Sequence, residues 1–162
     1  MGVVGTSGAT TPVEAQDADE EWPQYQYDAH NSGYSAANTA PSDWVDEKWR
    51  TAIEGDPTAP IVKDGTVLIG ADGDQSGVYA FDTDDGSELW QFDEPEYVSY
   101  PPAISGETVY VNGDTLYALD TTDGSVKWTN DNANWVSQPV VVDDMLYVAQ
   151  RNSVTAVNTT DG

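Results

Sequence analysis

From Asp56 onward the apolar residues fall in short runs of four to seven, each bounded by Gly, Asp, Asn or Pro. APIVKD, TVLIGA, GVYAFDT and ELWQFD form a first set of four. PPAIS, TVYVNG, TLYALDT and VKWTND repeat it, and QPVVVD, MLYVAQ and SVTAVNT begin it again. Runs of this length, rich in Val and Tyr and closed by turn residues, predict β-strands joined by hairpins. Within VLIG, VYV and LYVA neighbouring positions are both apolar. An antiparallel strand with one wet face would alternate, so both faces of these strands must be covered. Four strands per unit, about 40 residues per unit, with each sheet covered on both sides, predict an all-β fold of stacked four-stranded blades, a β-propeller.

One phrase marks the period. VYAFDTDDGSELW begins at Val78, LYALDTTDGSVKW at Leu116 and VTAVNTTDG at Val154, a spacing of 38 each time. Aligned, Ala80, Ala118 and Ala156 are small. Asp82, Asp120 and Asn158 follow, then Gly86, Gly124 and Gly162, then Trp90 and Trp128. Asp or Asn can bond local backbone as the strand turns, Gly supplies positive φ, and Trp offers the largest apolar face on the following strand.

The segment before this array is less regular. SDWVDEKWRTAIE (42–54) lacks Gly and Pro, and its apolar positions 44, 45, 49, 52 and 53 fit a helix tolerably. The alternation of Val45, Glu47, Trp49 and Thr51 fits a strand less well, so periodicity leaves both open. Residues 1–21 show no apolar periodicity and read as a disordered leader. Val13, Glu14 and Ala15 have the small-residue spacing of a signal cleavage site, yet no Lys or Arg precedes them, so a floppy terminus and a signal remnant both stand.

Composition narrows the function. The 162 residues carry 29 acidic against 5 basic groups, a net charge of −24, which excludes a general affinity for nucleic acid and argues against an anionic membrane surface. So low a Lys content with so much acid suggests a surface adapted to concentrated salt, where self-repulsion is screened. There is no cysteine, hence no disulfide, thiolate zinc site or thiol nucleophile.

Candidate chemistry is sparse. Asp72, Asp74 and Ser76 before Gly77 match the start of a calcium loop, but Thr83 stands where the bidentate Glu should close it, so a hairpin turn suffices. His30 is the lone histidine, in an Asn-Ser-Gly turn without an orienting partner. Asn158 opens a glycosylation sequon while also replacing the motif's Asp.

The A-x-D-x-x-x-G-x-x-x-W pattern resembles the tryptophan-docking motif of the pyrroloquinoline-quinone (PQQ) repeat family, with two complete copies and one partial copy. The opening W-P-Q-x-x-x-D-x-x-N-S-G-Y, residues 22–34, is similar to the entry segment of extracytoplasmic members. Similar propellers include the lipoprotein of the outer-membrane barrel-assembly machinery and surface proteins of salt-loving archaea. The resemblance implies that the Trp of one blade docks on the next, and that Trp49 holds the place of a preceding blade's Trp. That favours a strand over 45–51, completing the last blade of a ring. The implied organisation is a leader (1–21), an entry segment (22–56), a first blade (57–97), a second (98–135) and part of a third (136–162), the front piece of an eight-bladed ring.

A quinoprotein dehydrogenase would also need calcium ligands and a catalytic carboxylate beside the quinone. No set here matches these residue by residue. The expectation is therefore a non-catalytic extracytoplasmic binding or scaffolding module without cofactor or metal, whose partners are a protein or surface component and the remaining blades of the same chain. The alternatives are a piece of a quinoprotein enzyme, or a sensor domain of a larger membrane protein.

Overall fold

A computed structural model describes residues 46–131 and 137–162, and all regular structure among them is β. The leader, the 22–34 entry motif and His30 lie outside the described residues. No helix there is long and apolar enough to cross a membrane.

Three antiparallel sheets follow one another along the chain. The first contains β1 (Asp56–Pro57), β2 (Ile61–Lys63), β3 (Thr66–Asp72), β4 (Gly77–Asp82) and β5 (Glu88–Phe92). Here β2 and β1 pair with successive stretches of β3, and β3, β4 and β5 run on as a meander. The second sheet is β6 (Ala103–Ser105), β7 (Thr108–Asn112), β8 (Leu116–Asp120) and β9 (Val126–Asn130). The third is β10 (Val140–Val142), β11 (Met145–Gln150) and β12 (Ser153–Asn158). Among the described residues no strand of one unit pairs into another unit's sheet. The propeller reading of the hydrophobic pattern therefore holds, unit by unit.

The period-2 alternation of side chains sorts each sheet into two faces. Leu68, Val78, Ala80 and Trp90 of the first sheet pack against Val109, Val111, Tyr117 and Leu119 of the second. The second sheet's other face, Tyr110, Leu116 and Ala118, packs against Leu146, Val148 and Val157 of the third. Both faces of the second sheet are thus buried, as its consecutive apolar residues require. Asn112, itself buried, donates its side-chain amide to the Ser137 carbonyl and adds a polar tie between the second and third sheets.

Residues 46–53 form neither a helix nor a ladder. The strand expected over 45–51 is not seen across 46–51, where the backbone joins no ladder; a strand needs a neighbour to bond its backbone. The segment lies over the first sheet instead. Trp49 and Ile53 cover Val67, Ala71, Tyr79 and Phe81.

Candidate functional site

The repeated phrase builds one kind of site three times. In the β4–β5 hairpin the Asp82 N–H donates to the Ser87 carbonyl (2.9 Å) and the Gly86 N–H to the Asp82 carbonyl (3.0 Å). The Asp82 carboxylate accepts from the Asp84 N–H (2.6 Å), and the Asp85 carboxylate from the Ser87 N–H (2.9 Å). The β8–β9 hairpin repeats every bond, with Asp120, Thr122, Asp123, Gly124 and Ser125 in the same roles at 2.8–3.0 Å. In the third unit the Asn158 side chain accepts from Thr160 (2.8 Å) and its carbonyl from Gly162 (3.1 Å), so Asn does the work of Asp. The turn residues are chosen by this local bonding.

Each turn receives an indole from the unit before it. Trp90 Nε1 donates to the Thr121 carbonyl (2.9 Å) and Trp128 Nε1 to the Thr159 carbonyl (3.0 Å). Trp49, ahead of the first sheet, donates to the Thr83 carbonyl (2.9 Å). The glycines have φ of +72°, +72° and +82°, a region that suits Gly. They also lie under the rings: a Cβ on Gly86, Gly124 or Gly162 would come within 2.5, 2.6 or 2.8 Å of the Trp49, Trp90 or Trp128 ring. Gly thus meets two demands at once, backbone conformation and room for the indole. Ala80 and Ala118 stand opposite Trp90 and Trp128 in the ladder, each beside a bulge that leaves one extra residue on the outer strand and turns it.

Three carboxylates in these turns, Asp85, Asp120 and Asp123, are held below the usual carboxylate range. Side-chain hydrogen bonding from Ser87 lowers Asp85, and from Ser125 lowers Asp123. The backbone N–H of Thr122 lowers Asp120, helped by Lys127, whose Nζ lies 3.0 Å from its carboxylate. These shifts follow from the turn geometry and mark no acid–base pair.

At the opposite end of the first sheet is a cleft of about 430 Å³ lined by Asp74, Gln75, Gln91, Asp93, Glu94 and Glu96. It includes part of the loop that opens like a calcium site. Within that loop Asp72 accepts from the Gly73 N–H (3.0 Å) and from Ser99 Oγ (2.8 Å), and Ser76 Oγ donates to the Ala71 carbonyl (3.3 Å). Among the described residues no three His, Cys, Asp or Glu side chains converge on a point that could hold a metal ion. Sequence reasoning gave no role to Asp93, Glu94 and Glu96, which it placed within the first blade. Their acidic run was visible, but its closure against the β3–β4 hairpin is a tertiary fact. A smaller crevice of about 210 Å³ between the first and second sheets is lined by Lys63, Thr66, Leu68, Ile104, Thr121 and Thr122.

Stacked antiparallel sheets joined by indole-to-turn contacts define a β-propeller protein built on tryptophan-bearing repeats. The family model described as outer membrane protein assembly factor BamB matches residues 3–100 and 75–162, and the chain belongs to that PQQ-repeat family. No protein of curated function matches it in sequence. Among solved structures it is similar to BamB from Moraxella catarrhalis, with 21% identity and a TM-score of 0.60 over 70% of this chain and 37% of that one. It is also similar to the quinohemoprotein alcohol dehydrogenase ADHIIG from Pseudomonas putida, with 20% identity and a TM-score of 0.73 over 97% of this chain and 27% of that one. The enzyme of the same name from Comamonas testosteroni gives 20% identity and a TM-score of 0.70, over 93% and 27%. The chain spans little more than a third of the BamB chain and about a quarter of the dehydrogenases. At these identities the likeness is one of fold.

Proposed function

We propose that the chain is part of an extracytoplasmic propeller that binds or scaffolds another protein or a surface component and catalyses nothing itself. The observation that carries this reading is the role of the repeated residues. Asp82, Asp120 and Asn158 cap their own turns, Gly86, Gly124 and Gly162 seat an indole, and the Trp residues join one unit to the next. The repeat is thereby a framework, and function must come from a surface it displays. Membership in a family described by an outer membrane protein assembly factor supports a protein partner and a location outside the cytoplasm. The net charge of −24 supports a partner other than nucleic acid.

A second reading, a portion of a PQQ-dependent dehydrogenase, is favoured by the alignment of nearly the whole chain with two quinohemoprotein alcohol dehydrogenases. Reconstitution separates the two. The purified chain is incubated with pyrroloquinoline quinone and Ca²⁺, desalted, and read for quinone absorbance and for alcohol-dependent dye reduction. The binding reading expects neither. Stoichiometric retained quinone would overturn it in favour of the enzyme.

A further inference from the structure

Of the asparagines in the sequence, only Asn158 is followed two positions later by Ser or Thr, in Asn158-Thr159-Thr160. It stands where the first two copies of the phrase have Asp82 and Asp120. The exchange of Asp for Asn keeps one branch of the side chain and changes the other. Asn158 Oδ1 accepts from the Thr160 N–H (2.8 Å), as the Asp82 and Asp120 carboxylates accept from the N–H groups of Asp84 and Thr122. The turn needs one acceptor oxygen, and an amide supplies it. The second branch is a carboxylate oxygen in Asp120, 3.0 Å from Lys127 Nζ, and an amide nitrogen in Asn158.

The middle residue anchors the segment. The Thr159 N–H and Oγ donate to the Asp144 carbonyl (3.0 and 3.1 Å), and its own carbonyl accepts from Trp128 Nε1 and Tyr110 Oη. Asn158 and Thr160 on either side of it are exposed. Solvent access at this position does not depend on residues beyond Gly162. The Asp120 side chain holds the same place in a complete hairpin, with Lys127 against it, and is still 28% exposed. Asp82 is likewise half-buried.

Given the extracytoplasmic location proposed above, where N-linked sugars are transferred, we infer that Asn158 is an attachment site for a glycan. Transfer joins Nδ2 to C1 of a sugar and breaks the bond between C1 and the phosphate oxygen of a polyprenyl-phosphate-linked donor. One Nδ2 proton ends on the released phosphate. The product is still a secondary amide with Oδ1 in place, so the Thr160 N–H stays capped. The same step is closed to Asp82 and Asp120, which have no amide nitrogen. The sugar stands on the turn end of the stack, opposite the acidic cleft.

The test supplies its own export. The 162-residue chain is secreted behind an added cleavable signal from a eukaryotic host that N-glycosylates. It is read by intact mass, and by peptide mapping after enzymatic glycan release, which leaves Asp at the modified residue. Because the added signal delivers every molecule to the transferase, an unmodified product counts against Asn158 and leaves the natural location standing. The expected product carries one glycan, at Asn158. Asn158→Asp should abolish it. In unglycosylated protein from a bacterial host that variant should melt like the parent, because Asp caps the equivalent turn at Asp120. Thr160→Ser should keep the glycan and Thr160→Ala should lose it, with the backbone N–H that fills the cap present in both. An unmodified secreted chain overturns the inference, as does a glycan that survives Asn158→Asp or Thr160→Ala.

Discussion

Gly124→Ala isolates what the glycine of the repeat does. At φ +72° an alanine costs roughly 1–2 kcal/mol in backbone strain. Its Cβ would also lie 2.6 Å from Trp90 Cε3 and 3.0 Å from Cδ2, and the ring cannot yield freely, because its Nε1 is tied to Thr121 and it is 7% exposed. Forcing a methyl into such a contact adds about 1–3 kcal/mol. The sum is about 2–5 kcal/mol, a large share of a small domain's stability. Gly106→Ala supplies the control. Gly106 has φ +56°, but a Cβ there meets nothing within 4 Å, so only the backbone cost of roughly 1–2 kcal/mol remains. Urea unfolding of both variants in molar salt, followed by tryptophan fluorescence, measures the difference. Gly124→Ala should lose more, and adding Trp90→Ala should remove the excess, since the obstructing ring is gone. Equal losses for Gly124→Ala and Gly106→Ala would refute the claim that the glycine makes room for the indole.

Trp90→Ala should cost about 3–5 kcal/mol, as for a large aromatic lost from a core, while Trp49→Ala should cost less because Trp49 is only half-buried; chemical denaturation ranks them. Burial raises the phenols of Tyr79, Tyr97, Tyr110 and Tyr117 above their ordinary value of 10.0. Their neutral form is favoured in the fold, so that stability is complete below about pH 10 and lost as pH rises through the native values; thermal melts from pH 8 to 12 should fall, and phenolate absorbance should lag that of the unfolded chain. The lowered Asp85, Asp120 and Asp123 work the other way. Their contribution is present above the usual carboxylate range and disappears as pH drops through the lower native values, which an acid titration in constant salt would register. Finally, with a net charge of −24, the melting temperature should fall as salt is withdrawn; identical melts in dilute buffer and molar salt would remove the case for a salt-adapted surface.

Strands, turns and the repeat were legible in the sequence because they depend on neighbours in the chain. Val-rich runs between Gly and Asp settle where β3, β7 and β11 lie, and the Asp-to-Gly spacing settles the hairpins, since both the caps and the positive φ are satisfied within five residues. Consecutive apolar residues also dictated that something must cover both faces. What covers them was decided only by the tertiary structure. The Thr121 carbonyl that holds Trp90 is 31 residues away, and no local pattern marks a backbone acceptor. The segment around Trp49 carries the residue of an outer strand yet forms no ladder, because a strand exists only where another offers its edge. Ala80, Ala118 and Ala156 have the same place in the same phrase, but the first two are buried and the third is exposed. Burial belongs to the stack, and a residue's own sequence cannot say whether another sheet lies over it.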